Sequence, residues 1–315
     1  MPRSPFLHDH SEFKDLIQIV SGETGIVPQL VEKDYWIMHC LWGLSQNLTF
    51  ELKGGTSLSK GYRIIDRFSE DLDIRIDPPS EMAVYSGKNH TSPKQIESRS
   101  KYFDWVRGAI KIPGITSVVR DHAYDDELFR NGGIRLGYES LFHALSGVKE
   151  GVLLEVGFDD TTPNTGITIS SWAFDHAVNA KVAIQDTRAI DVRCYSAAYT
   201  FVEKLQTVST KYRKQQESGG MPTNFMRHYY DIHQLLTHPE VQKFIGTPEY
   251  EARKKVRFRK GDNLKISENE AFILSDKDTR KLYAAEYKKT ASLYYKGQVP
   301  FDDILARIRA HIKKL

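Results

Sequence analysis

The stretch ELKGGTSLSKGYRIIDRFSEDLDIRI, residues 51–76, places a glycine turn between two patterns that are typical of β-strands. The first pattern, residues 48–53, is short and rich in apolar side chains, and Gly54 and Gly55 end it as they would end a strand that runs into a turn. Thr56 then stands where a residue can cap the N-terminus of a helix. The sequence therefore predicts a strand, a glycine turn and a short helix in that order.

The second pattern, residues 71–76, alternates between polar and apolar side chains. This period of two is typical of a half-buried strand, in which successive side chains point to opposite faces of the sheet. Asp71 and Asp73 are therefore expected to project from one face. Such a pair of carboxylates can share a divalent cation, and Mg²⁺ (or Mn²⁺) suits it because Mg²⁺ keeps several waters and accepts substrate phosphates as further ligands.

The glycine turn supplies what a polyphosphate beside that cation would need. Glycines let the main chain approach a phosphate closely, and hydroxyl and guanidinium groups donate to its oxygens. The sequence lacks the GxxxxGK[ST] pattern of a P-loop, and Ile76 stands where an EF-hand loop requires glycine. The residues predicted to bind the nucleotide in this stretch are Gly54, Gly55, Thr56, Ser57, Arg67 and Ser69.

Each of these features alone also fits a structural role. Gly54 and Gly55 could form a simple tight turn, and Asp71 and Asp73 could be the solvent face of an amphipathic strand. The ordered combination of strand, GGTS, helix and R-x-S-x-D-x-D strand is much rarer by chance, and it favours a functional site.

Along the rest of the chain, the patterns predict an α/β (α+β) fold. Helices are predicted near residues 11–20 and 28–44, a long surface loop over 78–100 and a helix over 101–110. Further strands are predicted over 115–120, 133–138, 151–158, 166–170 and 189–194, and a mobile linker over 214–223. We therefore expect a mixed β-sheet domain with N-terminal helices over 1–195 and a helical domain over 196–315.

The composition limits the class of protein. The chain has 315 residues, of which 40% are hydrophobic and 27% charged, with a net charge of +3, as expected of a globular protein. Cys40 and Cys194 are too few for a disulfide framework and lack the spacing of a zinc site. Because we find no apolar segment of membrane-spanning length and no leader pattern, we expect a cytoplasmic protein with no membrane partner.

The stretch KGGTSLSKGYRIIDRFSEDLDIRI resembles the nucleotidyltransferase superfamily, and within it the AbiEii/AbiGii toxin family, which includes the MenT toxins. The resemblance spans residues 30–236. Two further motifs of that family are similar to Lys204 in YTFVEKLQTV and to Arg227 through Asp231 in RHYYDIHQLL. The family often has a lysine directly before this aspartate, whereas this chain has Tyr230. The resemblance implies catalytic roles for Asp71, Asp73, Lys204 and Asp231, and nucleotide binding by Arg227.

The superfamily commonly uses a third metal-binding carboxylate on a neighbouring strand. Glu155, in GVLLEVGF, is the best candidate for it, because a charge among these apolar residues is costly to bury unless a cation or hydrogen bonds compensate it. It could equally face water on an edge strand. With that alternative open, Glu155 is predicted as a metal ligand together with Asp71 and Asp73.

The basic run RKKVRFRKG, residues 253–261, suits a surface that follows a phosphate backbone, and it suits a solvated helix face equally well. The tyrosines of the helix that follows, Tyr283 and Tyr287 among them, are better explained as core residues. Lys33 and Asp34, in LVEKDYWI, resemble the N-terminal helix of the AbiEii/AbiGii family, but a surface salt bridge or a capping role explains them better.

Together, residues and resemblance predict a Mg²⁺-dependent nucleotidyltransferase (EC 2.7.7 type) that moves a nucleoside monophosphate from an NTP to an RNA acceptor. The resemblance implies GTP or CTP as donor, a tRNA end as acceptor, and a toxin controlled by an antitoxin protein. Two alternatives stay open: a non-catalytic nucleotide- or RNA-binding module, and an enzyme that transfers the nucleotide to a protein or a small molecule.

Overall fold

The computed structural model describes residues 4–145 and 147–315, which form two compact units. Of the described residues, the first unit comprises 4–61, 69–145 and 147–195, and the second comprises 62–68 and 196–315. The assignment of an α/β domain to 1–195 and of a helical domain to 196–315 remains a prediction.

The first unit is built on a mixed β-sheet. Within the described residues the sheet has seven strands in the order β3-β4-β5-β2-β1-β7-β6. The pairs β2–β5 and β1–β7 are parallel and the others antiparallel. The strands are β1 (Phe50–Lys53), β2 (Asp71–Ile76), β3 (Ile115–Asp121), β4 (Asn131–Tyr138), β5 (Val152–Gly157), β6 (Asn164–Ile169) and β7 (Ala189–Tyr195). The predicted mixed α/β fold class is confirmed.

Helices of the first unit pack onto this sheet. α2 contacts β7, α1 and α5, and its interior is buried on every side. Pro28 stands in its first turn, where the missing amide hydrogen costs nothing. The helices are α1 (Phe13–Thr24), α2 (Pro28–Ser45), α3 (Gly54–Thr56), α4 (Pro93–Ala109) and α5 (Trp172–Asn179).

The loop predicted over 78–100 is too long, because α4 begins at Pro93. The backbone N–H of Ser92 donates to Oε1 of Gln95 at 3.1 Å, and Pro93 fixes a backbone angle that suits a first helical residue. These local features outweigh the polar composition on which the loop prediction rested.

The second unit is helical. α6 packs against α7 and α9, and α7 packs against α12. Its helices are α6 (Ala197–Ser218), α7 (Arg227–Leu235), α8 (Pro239–Phe244), α9 (Pro248–Arg257), α10 (Glu270–Ile273), α11 (Lys277–Lys288) and α12 (Phe301–His311). The linker predicted over 214–223 is wrong in its first half, since α6 continues to Ser218 and ends at Gly219, which adopts a φ of 71°.

Throughout residues 4–145 and 147–315, no helix combines the length and the apolar character that crossing a bilayer requires.

Candidate active site

The glycine turn and Asp73 lie directly against each other. Gly54 follows β1 with a φ of 75°, in the left-handed region that glycine tolerates best. A Cβ atom at Gly54 would lie 1.9 Å from Oδ2 of Asp73. Only a glycine therefore allows the carboxylate of Asp73 to pack on the main chain of the turn, and this contact joins the two parts of the motif.

The hydroxyl groups of the turn are used within it. Thr56 Oγ1 donates to the carbonyl oxygen of Asp71 at 2.6 Å, and Ser57 Oγ donates to the carbonyl oxygen of Gly54 at 3.0 Å. Both side chains are buried, as is Gly55. Thr56 thus ties the turn to the first residue of β2, which fixes the turn relative to the aspartate pair.

Three carboxylates share one face of the sheet. Asp71 and Asp73 are two positions apart on β2, and Glu155 is the register partner of Asp73 on the parallel strand β5. Neighbouring strands lie about 4.8 Å apart, so the side chains of register partners stand next to each other. Asp73 and Glu155 are half-buried, and Asp71 is buried.

The carboxylate of Asp71 is paired with a lysine that the sequence patterns did not indicate. Lys149 Nζ lies 2.9 Å from Oδ1 and 2.7 Å from Oδ2 of Asp71. Burial alone would lower the pKa of Lys149, but the contact with Asp71 outweighs it and raises that pKa. The two residues are 78 positions apart, and Lys149 lies just before β5 in a segment without a motif.

Two buried charged residues hold the backbone of Lys149 in place. Glu70 Oε2 accepts a hydrogen bond from the backbone N–H of Lys149 at 2.8 Å. Lys33 Nζ donates to the backbone carbonyl of Lys149 and lies 3.7 Å from Glu70. Burial lowers the pKa of Lys33 to about 8, although Glu70 and Asp71 act in the opposite direction.

Lys33 and Asp34 form ion pairs, as a salt-bridge role predicts, but the predicted surface position is wrong. The two residues are only 2% and 3% exposed. Asp34 lies 2.9 Å from the ammonium of Lys60 and accepts the backbone N–H of Trp172 at 2.9 Å. Because α2 is covered on all sides, Lys33 and Asp34 are buried in ion pairs rather than solvated.

In the second unit, three predicted site residues form one buried ion cluster. Arg67 donates from Nε and Nη2 to the two carboxylate oxygens of Asp231, at 2.6 and 2.7 Å. Lys204 Nζ lies 3.0 Å from Asp231 Oδ2. Complete burial alone would raise the pKa of Asp231, but Arg67 and Lys204 hold it far below its usual range.

Further basic residues lie near this cluster on α6 and α7. Burial lowers the pKa of Lys211 to about 8, and Arg227 and Lys204 add to that shift. Burial also keeps the pKa of His228 well below 6.5, with Lys204 as the next cause. Ser69, in contrast, is half-buried in the first unit just before β2.

The basic run does not form a continuous exposed surface. Arg253 and Arg257 lie 2.9 and 3.5 Å from Glu203 Oε1. Lys254 is buried and donates to the carbonyl oxygen of Leu315 at 2.5 Å. Tyr283 and Tyr287 are buried as well, which agrees with their predicted core role.

The comparison with protein families decides the assignment. The family described as "Nucleotidyl transferase AbiEii toxin, Type IV TA system" matches residues 37–307, which include the turn, the aspartate pair and the buried ion cluster. The chain belongs to the AbiEii nucleotidyltransferase toxin family.

Membership of the AbiEii family confirms the predicted enzyme class, a nucleotidyltransferase, and thereby argues against the non-catalytic alternative. It also implies an NTP substrate and an antitoxin partner, since the family is the toxin of a type IV toxin–antitoxin system. The search of curated proteins gives no match.

A solved structure that aligns with this AbiEii protein is the crystal structure of an antigenic nucleotidyltransferase-like protein from Paracoccidioides brasiliensis. It shares 14% identity over 72% of this chain and 94% of that chain, with a TM-score of 0.34. A likeness at this level adds nothing to the assignment.

The donor set of the AbiEii site fits a hard divalent cation whose coordination shell is completed by water and substrate. The described residues contain no group of three or more His, Cys, Asp or Glu side chains arranged around a metal position. Mg²⁺ needs only one or two carboxylates when waters and phosphates supply its other ligands. Asp71 and Asp73 meet that requirement. Both carboxylate oxygens of Asp71 already contact a cationic group, the ammonium of Lys149.

Proposed function

We propose that this AbiEii toxin is a Mg²⁺-dependent enzyme that transfers a nucleoside monophosphate from an NTP to an RNA acceptor, with a tRNA end as the substrate class. The observation that carries the proposal is the contact between Gly54 and Asp73, because it places a main-chain turn suited to phosphate against a carboxylate suited to a cation. GTP or CTP is the proposed donor, and the cytoplasm the proposed location.

Asp71 and Asp73 would hold the ion, and Glu155, next to Asp73 in the sheet, would be a third carboxylate. When bound, the ion supplies neutralising charge for the phosphates and for the leaving pyrophosphate. Gly54 and Gly55 would admit a phosphate to the main chain, because neither carries a side chain that blocks the approach.

Other residues would act by holding these groups. Thr56 fixes the turn on Asp71 through its hydroxyl, and Ser57 closes the turn on Gly54. Ser69 is proposed as a further phosphate contact of the first unit. In the second unit, Lys204 and Arg227 are proposed to contact the nucleotide, with Asp231 orienting Lys204 and Arg67.

The direct test is a transfer assay with NTPs labelled at the α-phosphate, Mg²⁺ and total RNA. Wild type is expected to label RNA, and Asp73→Asn to abolish the labelling. Asp77→Asn is the matched control, because Asp77 follows the same strand but is exposed and pairs only with Arg75 among the ion pairs of the described chain. Label found on protein or on a small molecule instead of RNA would contradict the proposed acceptor.

The toxin role is tested by expression in bacteria. Wild type and Asp77→Asn are expected to inhibit growth, and Asp73→Asn is expected to be harmless at equal protein levels. Equal inhibition by all three proteins would show that growth inhibition does not depend on the proposed site.

A further inference from the structure

Lys149 contacts Asp71 in the candidate site but has no role in the proposed reaction. Its ammonium contacts both oxygens of Asp71, at 2.9 and 2.7 Å, and the ring centroid of Tyr124 lies 4.8 Å from Nζ. A divalent cation that binds Asp71 must use the same oxygens. The two cations therefore compete for one carboxylate.

The structure also indicates which part of Lys149 can move. Its backbone is held at both polar atoms, with the N–H on Glu70 and the carbonyl on Lys33. Its side chain is 25% exposed and lines a cavity of about 280 Å³ together with Lys33, Ser140 and His143. The cavity offers room for the Lys149 side chain to rotate away from Asp71, while the two backbone contacts keep the residue beside the site.

A displaced ammonium needs a new anionic partner, because a partly buried charge without one is costly. A polyphosphate that completed the shell of an ion on Asp71 would lie close to that carboxylate and would carry several negative charges. Lysine is well suited to meet it as a mobile point charge on a flexible stem.

We propose that Lys149 alternates between two partners: it neutralises Asp71 in the ion-free enzyme, and it binds a phosphate oxygen of the nucleoside triphosphate once a divalent cation occupies Asp71. This inference rests on the proposed function, and it makes Lys149 a substrate-binding residue that also restrains cation uptake in the absence of nucleotide.

The proposal gives two affinities that change in opposite directions. In Lys149→Met, the affinity for Mn²⁺ in the absence of nucleotide is expected to increase about tenfold, within the usual range for coupled sites. This affinity is measured by the loss of the electron paramagnetic resonance signal of free Mn²⁺. The affinity of the same variant for inorganic tripolyphosphate at saturating Mn²⁺, measured by calorimetry, is expected to decrease about tenfold.

Lys101→Met removes the same charge from an exposed pair with Glu97 and is expected to change neither affinity. Lys149→Arg keeps a positive charge that can contact both carboxylate oxygens of Asp71, so its affinity for Mn²⁺ is expected not to increase. This variant tests the proposal even if Lys149→Met does not fold. Tighter binding by the arginine variant would overturn the inference.

The outcomes separate this inference from the proposed function. A wild type that takes up no Mn²⁺ with or without tripolyphosphate overturns both. If wild type binds Mn²⁺, two results with Lys149→Met would overturn the role of Lys149 alone. These are an affinity for Mn²⁺ that is unchanged or weaker, and an affinity for tripolyphosphate that is unchanged.

Discussion

Arg67 and Asp231 form a two-point ion pair across 164 positions of the sequence, with N–O distances of 2.6 and 2.7 Å. Both side chains are essentially inaccessible to solvent, and Lys204 adds a second cation to the same carboxylate. Among the ion pairs of the described residues, both buried cations are thus compensated by the carboxylate of Asp231. The segment 62–68, which contains Arg67, belongs to the helical second unit.

Asp231→Asn is expected to destabilise the protein by about 3–5 kcal/mol, because it leaves Arg67 and Lys204 buried without their counter-ion. The measurement is denaturant unfolding at neutral pH. Asp302→Asn is the matched control, because Asp302 is 78% exposed and lies 3.7 Å from Arg280; its effect is expected to stay within about 0.5 kcal/mol. Equal stability of Asp231→Asn and wild type would contradict a compensating role for this carboxylate.

Gly54→Ala is expected to reduce nucleotidyl transfer by about 100-fold, because the new methyl group would displace the Asp73 carboxylate or distort the turn. Gly25→Ala provides the control. Gly25 has a similar φ of 71°, but nothing lies within 4 Å of the position its Cβ would take. It is expected to cost about 1 kcal/mol of stability and no activity. The transfer assay and thermal unfolding are measured on both variants, and equal activity losses would attribute the effect to backbone strain instead.

The sequence predicts the geometry around the candidate site where that geometry depends on neighbouring residues. The alternation around Asp71 and Asp73 indicates their shared face, and the glycine turn beside them follows directly after a short strand. The start of α4, in contrast, was missed: Ser92 and Gln95 stand three positions apart at the helix entrance, but the prediction gave more weight to the polar composition of the segment.

The ion pairs around these elements could not be predicted in the same way. Lys149 reaches Asp71 over 78 positions and lies in a loop with no motif, so only the packing of β5 beside β2 brings them together. Lys33 looked like a surface residue because a charge on a helix is usually solvated. Whether a helix such as α2 is covered on all sides depends on the tertiary structure, and its own sequence does not decide it.

His39 is expected to make stability depend on pH between about 4 and 6.5. Burial lowers the pKa of His39 from 6.5 to about 4 in the folded protein, where its Nε2 lies 2.9 Å from the carbonyl oxygen of Pro113. Below pH 6.5 the unfolded chain therefore binds a proton that the folded chain does not, and stability falls as the pH falls. His39→Gln keeps a donor but does not titrate. From pH 7 to pH 5, wild type is expected to lose about 2 kcal/mol more than this variant, as measured by denaturant unfolding.

Glu155→Gln is expected to weaken Mn²⁺ binding about tenfold, because it removes a negative charge next to Asp73 on the adjacent strand while it keeps the shape of the side chain. The measurement is the free-ion resonance signal during titration of the nucleotide-free protein, with thermal unfolding as a check that the sheet is intact. Glu97→Gln is the control, because Glu97 is 61% exposed and pairs with Lys101 on α4. If Mn²⁺ affinity is the same in both variants, Glu155 is not a ligand, and the ion would depend on Asp71, Asp73 and the substrate phosphates alone. If the affinity falls only in Glu155→Gln, three carboxylates on one face of the sheet act on the same ion.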